Sequence, residues 1–159
     1  MDCLRPTLVN PDADPQRVLD STVAVVNDGR GDCLMYSMQY HLHTLGTPVS
    51  IDGIRALGVD YVVTHWQRYR DFALDDHGNG FRGPREYAAH VGRPGVYADH
   101  VLMHALCRTF GITAYVLRVD AAGRLIGVNE VCSHPGWPLM PFRFQPEYHY
   151  EALRALRRA

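Results

Sequence analysis

Three patterns along this 159-residue chain predict an α+β fold. Apolar side chains recur at helical spacing in the first two thirds, strand-like alternation takes over after residue 111, and no linker or internal repeat separates the two regions. Helices first and strands last point to one domain, a small sheet packed between helices. Residues 1–20, with Pro6, Pro11 and Pro15 and few apolar side chains, read as an irregular lead-in to a domain over 21–159. Val23 to Val26 reads as a short buried strand or extended segment. From Cys33, apolar residues at Leu34, Met38, Leu42 and Leu45 predict a helix, which Gly46 and Pro48 stop. Ser50 can cap a second helix whose apolar face is Ile54, Leu57, Tyr61, Val62 and Trp66.

Residues 75–83 (Asp-Asp-His-Gly-Asn-Gly-Phe-Arg-Gly) have the composition of a flexible loop. Pro84 suits the first turn of a short helix running through His90 and ended by Gly92 and Pro94. Asp99 is a candidate N-cap for a helix carrying Met103, Leu106, Cys107 and Phe110 on one side, with Gly111 just past its end. The period then changes to two. Ile112 to Val119 and Leu125 to Val131 read as a hairpin through Asp120-Ala121-Ala122-Gly123, and Leu139 to Phe144 and Tyr148 to Leu153 as two further strands.

A domain of this length buries about 70% of the surface its unfolded chain exposes, so it needs neither a disulfide nor a metal to hold it together. The four cysteines, Cys3, Cys33, Cys107 and Cys132, show no close paired spacing. With no signal peptide and no long apolar run, a reducing, cytoplasmic setting is the expectation. The formal net charge of −1 gives no electrostatic basis for binding nucleic acid or a membrane surface.

The chemistry concentrates at two points. In Asp28-Gly29-Arg30-Gly31-Asp32-Cys33-Leu34 a glycine-rich turn delivers a cysteine to a helix start, where main-chain N–H groups and the helix dipole favour thiolate. The glycines are expected to allow positive φ and close approach of a substrate backbone. A lone cysteine is more often a small buried hydrophobe, but this one follows a turn whose N–H groups can converge on an oxyanion. Near the other end, His149 precedes Glu151 by two residues, which on a strand puts a base and an orienting carboxylate on one face. Other histidines offer less. His100 and His104 lie at i, i+4 with no third ligand at a matching spacing, so no metal is expected, and no phosphate-binding loop or other cofactor signature is present.

Gly29-Arg30-Gly31-Asp32-Cys33-Leu34 resembles the Gly-Asp-Gly-Asn-Cys-Leu/Phe signature of ovarian tumour-domain (OTU) deubiquitinases, and His149-Tyr150-Glu151 is similar to that family's terminal His-Tyr-Asp/Asn. Ile54-Arg55 through Tyr61 to His65-Trp66 resembles the helix after the catalytic one. Glu86-Tyr87, Gly95 to Asp99, Leu102 to Phe110 and Ile112 to Val116 follow the family's order of a Tyr-Leu pair, Trp-Gly-Asp, an apolar helix and a strand. The resemblance spans roughly residues 20 to 153. It departs at Arg30 (usually Asp), Asp32 (usually Asn), Tyr97 (usually Trp) and Glu151 (usually Asp or Asn).

The resemblance implies an OTU-like, papain-like cysteine protease fold and a thiol-dependent isopeptidase that removes ubiquitin or a ubiquitin-like modifier from protein lysines, with no cofactor. Cys33 would be the nucleophile, His149 the base and Glu151 the orienting acid, with Asp28 and Asp32 as alternative acids. The main-chain N–H groups of Arg30 and Cys33 would form the oxyanion hole, and Tyr97, Asp99 and Tyr148 would line the groove for the modifier's tail. The partners would be ubiquitin or a ubiquitin-like protein and its conjugates, in the cytoplasm, or in the host cytosol if the source is a pathogen. All 16 basic residues are arginine, which fits either GC-rich coding or a protein that gains from having no lysine acceptor. Two alternatives keep the same residues: a catalytically weak ubiquitin-binding domain, and a papain-like thiol enzyme of another reaction, such as a deamidase or acyltransferase.

Overall fold

A computed structural model describes residues 5–27 and 29–156. Five strands form one sheet in the order β1-β5-β4-β2-β3, namely β1 (Thr22–Val25), β2 (Thr113–Val119), β3 (Leu125–Val131), β4 (Leu139–Gln145) and β5 (His149–Ala155). Only the β2–β4 pair is parallel. β2 and β3 form the expected hairpin, in which Asp120 Oδ1 accepts from the N–H groups of Ala122 and Arg124 and Gly123 takes φ +80°.

The helices are α1 (Pro15–Asp20), α2 (Cys33–Thr44), α3 (Ile51–Thr64), α4 (Trp66–Tyr69), α5 (Pro84–Val91) and α6 (His100–Phe110), with a 3-10 turn over Arg30–Asp32. Ser50 caps α3 by accepting from Gly53 N–H at 3.0 Å, and Asp99 caps α6 by accepting from Leu102 N–H at 3.3 Å. Gly111 ends α6 in the left-handed conformation, φ +69°.

Two cores lie on the two faces of the sheet. On the helical face Leu34, Met38, Met103 and Leu106 pack with Met140, Phe142 and Tyr150. On the other face Tyr115, Leu117, Leu139 and Leu153 meet Val9 and Val18. The stretch expected to be an irregular lead-in therefore carries a helix. Pro15 opens α1, Val9 N–H bonds Leu139 O at 2.8 Å, and a sparse set of apolar residues suffices because each one is buried against the sheet.

The buried side of α3 also differs from the expected face. Leu57 is 44% exposed, while Arg55, Gly58 and Val59 are buried. The helix ends at Thr64, so Trp66 starts α4 instead of extending it. Gly58 lets α3 approach α6, since a Cβ there would stand 2.8 Å from Leu102 Cδ1 and from Leu106 Cδ2. Gly58→Ala is expected to be near neutral: the helix-propensity gain of about 1 kcal/mol opposes a clash with movable side-chain ends. Gly58→Val overfills the interface and is expected to cost roughly 1–3 kcal/mol in urea unfolding.

Candidate active site

The cysteine loop takes its shape from neighbouring backbone. A Cβ on Gly31 would collide with the carbonyl of Gly95, and one on Gly29 would stand 2.5 Å from the Tyr36 ring. The glycines thus serve close approach of the protein's own chain. The positive φ of this loop belongs to Arg30, at +45°, and Gly29 has φ −62°. Arg55, from α3, fixes the loop. Its Nη2 donates to Gly31 O (3.1 Å), Asp32 Oδ1 (2.6 Å) and Val96 O (2.8 Å), and its Nη1 to Val91 O (2.7 Å). Asp32 Oδ1 also accepts from Gly95 N–H at 3.0 Å. Asp32 is therefore engaged with Arg55 and Gly95, and its place is structural. Asp28 lies outside the described residues.

Cys33 is the first residue of α2 and is 1% exposed. Its Sγ accepts from Tyr150 N–H at 3.4 Å and lies 3.7 Å from Tyr148 O, so the thiol sits against the peptide units on either side of His149. Burial pushes this thiol above its ordinary pKa, and the N–H groups of Tyr150 and Leu34 offset only part of that. The helix start thus does not deliver the resting thiolate expected from the sequence. Cys33 N–H closes the 3-10 turn onto Arg30 O, so one of the two expected oxyanion donors is engaged.

β5 places His149 and Glu151 on the face opposite Tyr150, as the two-residue spacing requires. His149 Nε2 lies 3.7 Å from Glu151 Oε2, beyond hydrogen-bond length. Glu151 is 3% exposed, and its other oxygen, Oε1, accepts from Arg143 Nη2 at 2.5 Å. Arg143 faces Glu151 across the β4–β5 register.

Two cavities flank this arrangement. One, of about 620 Å³, is walled by Arg30, Gly31, Tyr97, Tyr148 and His149. The other, of about 280 Å³, is lined by Tyr97, Asp99, Arg118, Tyr148 and Tyr150 among others. Tyr97 and Tyr148 belong to both, with ring centroids 5.5 Å apart. The three residues expected in a tail groove, Tyr97, Asp99 and Tyr148, thus line one cavity, and two of them continue to His149. Burial raises the Tyr97 phenol and the Asp99 carboxyl above their ordinary pKa values.

Among the described residues no group of three metal-ligating side chains occurs. His104 Nδ1 pairs with the Tyr69 hydroxyl at 2.8 Å. No described helix is long and apolar enough to cross a membrane. Sequence reasoning misses Arg55 and Arg143. Arg55 leaves a weak signal, a charge next to Ile54 on a helix that must bury one side, and Arg143 leaves none short of strand register.

No protein-family model and no curated protein sequence matches this chain. Solved structures do. The viral OTU domain protease from Taggert virus superposes with a TM-score of 0.70 at 17% identity, covering 89% of this chain and 84% of that one. The Hazara virus OTU bound to ubiquitin gives 0.68 at 16%, covering 89% and 86%. An OTU deubiquitinase from Wolbachia pipientis wMel bound to ubiquitin gives 0.65 at 14%, covering 86% and 97%. The chain is a single α+β domain with the OTU fold.

The loop and its thiol can each be probed. Arg55→Met leaves Asp32 and three carbonyls without their donor and is expected to cost roughly 3–5 kcal/mol by chemical denaturation. Asp32→Asn, which keeps one acceptor, costs less. Because the Cys33 pKa is raised, the thiolate is scarce at neutral pH and grows as pH rises through that pKa. Alkylation of Cys33 by iodoacetamide, read by mass spectrometry, should therefore accelerate above about pH 9 without a plateau between about pH 6 and 8.

Proposed function

We propose that this domain is a cysteine isopeptidase that cleaves ubiquitin, or a ubiquitin-like modifier, from lysine side chains of other proteins. One observation carries the reading: the Cys33 thiol is lodged against the peptide units that bracket His149, and His149 lines a cavity together with Tyr97 and Tyr148. The ubiquitin-bound OTU structures from Hazara virus and Wolbachia support the choice of modifier. In this reading the tail enters past Asp99, Tyr97 and Tyr148, and its terminal carbonyl meets Sγ.

His149 Nε2 is the nitrogen on the Glu151 side, which leaves Nδ1 to take the thiol proton. The thiol is neutral at rest, so proton transfer and attack belong to the bound complex. Sulfur bonds to the carbonyl carbon, and the tetrahedral oxyanion takes its hydrogen bonds from the loop. Of the proposed donors, Arg30 and Cys33, the second joins only when the 3-10 turn opens. His149 then protonates the leaving lysine amine, and water, deprotonated by His149, releases the modifier from the thioester. No cofactor is needed, and the cytoplasm is the proposed setting.

A second reading, a ubiquitin-binding domain with little turnover, is favoured by the buried neutral thiol and the 3.7 Å gap between His149 and Glu151. Ubiquitin carrying a C-terminal electrophile separates the two. The expected outcome is a covalent adduct with the wild-type protein and none with Cys33→Ala, which should still bind ubiquitin. Binding without an adduct would select the second reading, and labelling by a general thiol reagent without either would select a thiol enzyme of another reaction. His149→Ala is expected to lower kcat/KM by about 10³ or more, measured on a fluorogenic ubiquitin amide.

A further inference from the structure

We propose that Arg143 is a positioning residue that holds Glu151 for His149, so that a glutamate serves where the resemblance leads one to expect the shorter aspartate or asparagine. The proposal rests on reading Cys33 and His149 as a catalytic pair. Glu151 and His149 stand two apart on β5 with side chains on one face, about 7 Å between their Cα atoms by strand rise. A glutamate has one more torsion than an aspartate and needs a second anchor to hold its head beside the ring.

β4 supplies that anchor. Arg143 is the direct cross-strand partner of Glu151, and its Nη2 donates to Oε1 at 2.5 Å. The contact uses one nitrogen, and the buried Nε of Arg143 has no partner among the described residues, so the guanidinium does not clamp both oxygens as a bidentate fork would. Oε2 is left facing His149 Nε2 at 3.7 Å. A short rotation about the anchored oxygen closes this gap when the imidazole gains the thiol proton.

The test uses the full chain and two readouts. NMR of the neutral His149 imidazole nitrogens should show the tautomer protonated at Nε2, the nitrogen facing Glu151, in wild type and a mixture of tautomers in Arg143→Gln, and Arg143→Lys should return most of the wild-type signature. With a fluorogenic ubiquitin amide, Arg143→Gln should lose roughly 10- to 100-fold in kcat with KM within about twofold. Arg143→Gln combined with Glu151→Gln should be no worse than Glu151→Gln alone. An unchanged His149 tautomer in folded Arg143→Gln, or additive losses in the double variant, overturns the proposal. If Arg143→Gln does not fold, the same two readouts on Arg143→Lys and Glu151→Gln decide it. A wild-type protein that does not cleave the ubiquitin amide would sink the proposed function, while the tautomer signature would still decide whether Arg143 acts on His149.

Discussion

One guanidinium, buried to 2% exposure, holds the site region together: Arg55 of α3 bonds the cysteine loop at Gly31 and Asp32, the end of α5 at Val91, and the following loop at Val96. Burying a lone cation costs several kcal/mol, and only a full set of acceptors offsets it. Here one carboxylate and three carbonyls supply that set. The energetics therefore tie three chain segments to a single point. With Gly31 pressed on Gly95 O, the turn cannot relax sideways, and the strain collects at Arg30, the one described residue of the loop with positive φ. The thiol's position on α2 is set from α3.

The sheet sets the other half. β1 pairs with β5 only from Thr22–Ala155 to Val25–Ala152, which leaves the start of β5 without a strand on that side. The cysteine loop takes the place of one. Asn27 Nδ2 donates to Tyr150 O at 3.1 Å, and Tyr150 N–H donates to Cys33 Sγ. Both main-chain groups of Tyr150 are thus satisfied by the loop. This arrangement holds the thiol at the sheet edge beside His149 while α2 packs on the helical face. Glu147 and Tyr148, both at positive φ, turn the chain sharply into β5 just before the histidine.

The elements are legible in the sequence because local rules govern them: Ser50 and Asp99 as caps, Gly111 as a stop, the Asp120 to Gly123 hairpin and the two-residue phase of His149 and Glu151 all depend on residues close in sequence. The parts that are not legible depend on distant partners. Whether Asp32 faces His149 or Arg55 is decided by how α3 lies on the loop. Whether Glu151 has a second claimant is decided by the β4–β5 register, which pairs Arg143 with it. The thiol's raised pKa reflects burial under β5, and that outweighs the helix-start effect visible in the sequence. The lead-in reads as irregular because its few apolar residues look too sparse for structure until a sheet face is there to receive them.

These constraints divide the labour between a fixed half and an adjustable half. Gly31, Asp32 and Arg55 are locked by short bonds to backbone, so the thiol's place is fixed before any ligand arrives. The 3.7 Å gap between His149 and Glu151 and the Cys33 N–H held by Arg30 O are, by contrast, contacts that a small movement changes. Under the proposed function, charge develops first on imidazole and then on the oxyanion, which are the two places where the resting structure keeps an adjustable contact. A neutral, buried thiol beside a base that is not yet tightened gives little reactivity toward chance electrophiles. Under the same proposal a ligand must reach the thiol past the packed rings of Tyr97 and Tyr148, so the surfaces beside those rings would set selectivity as much as the proposed triad does.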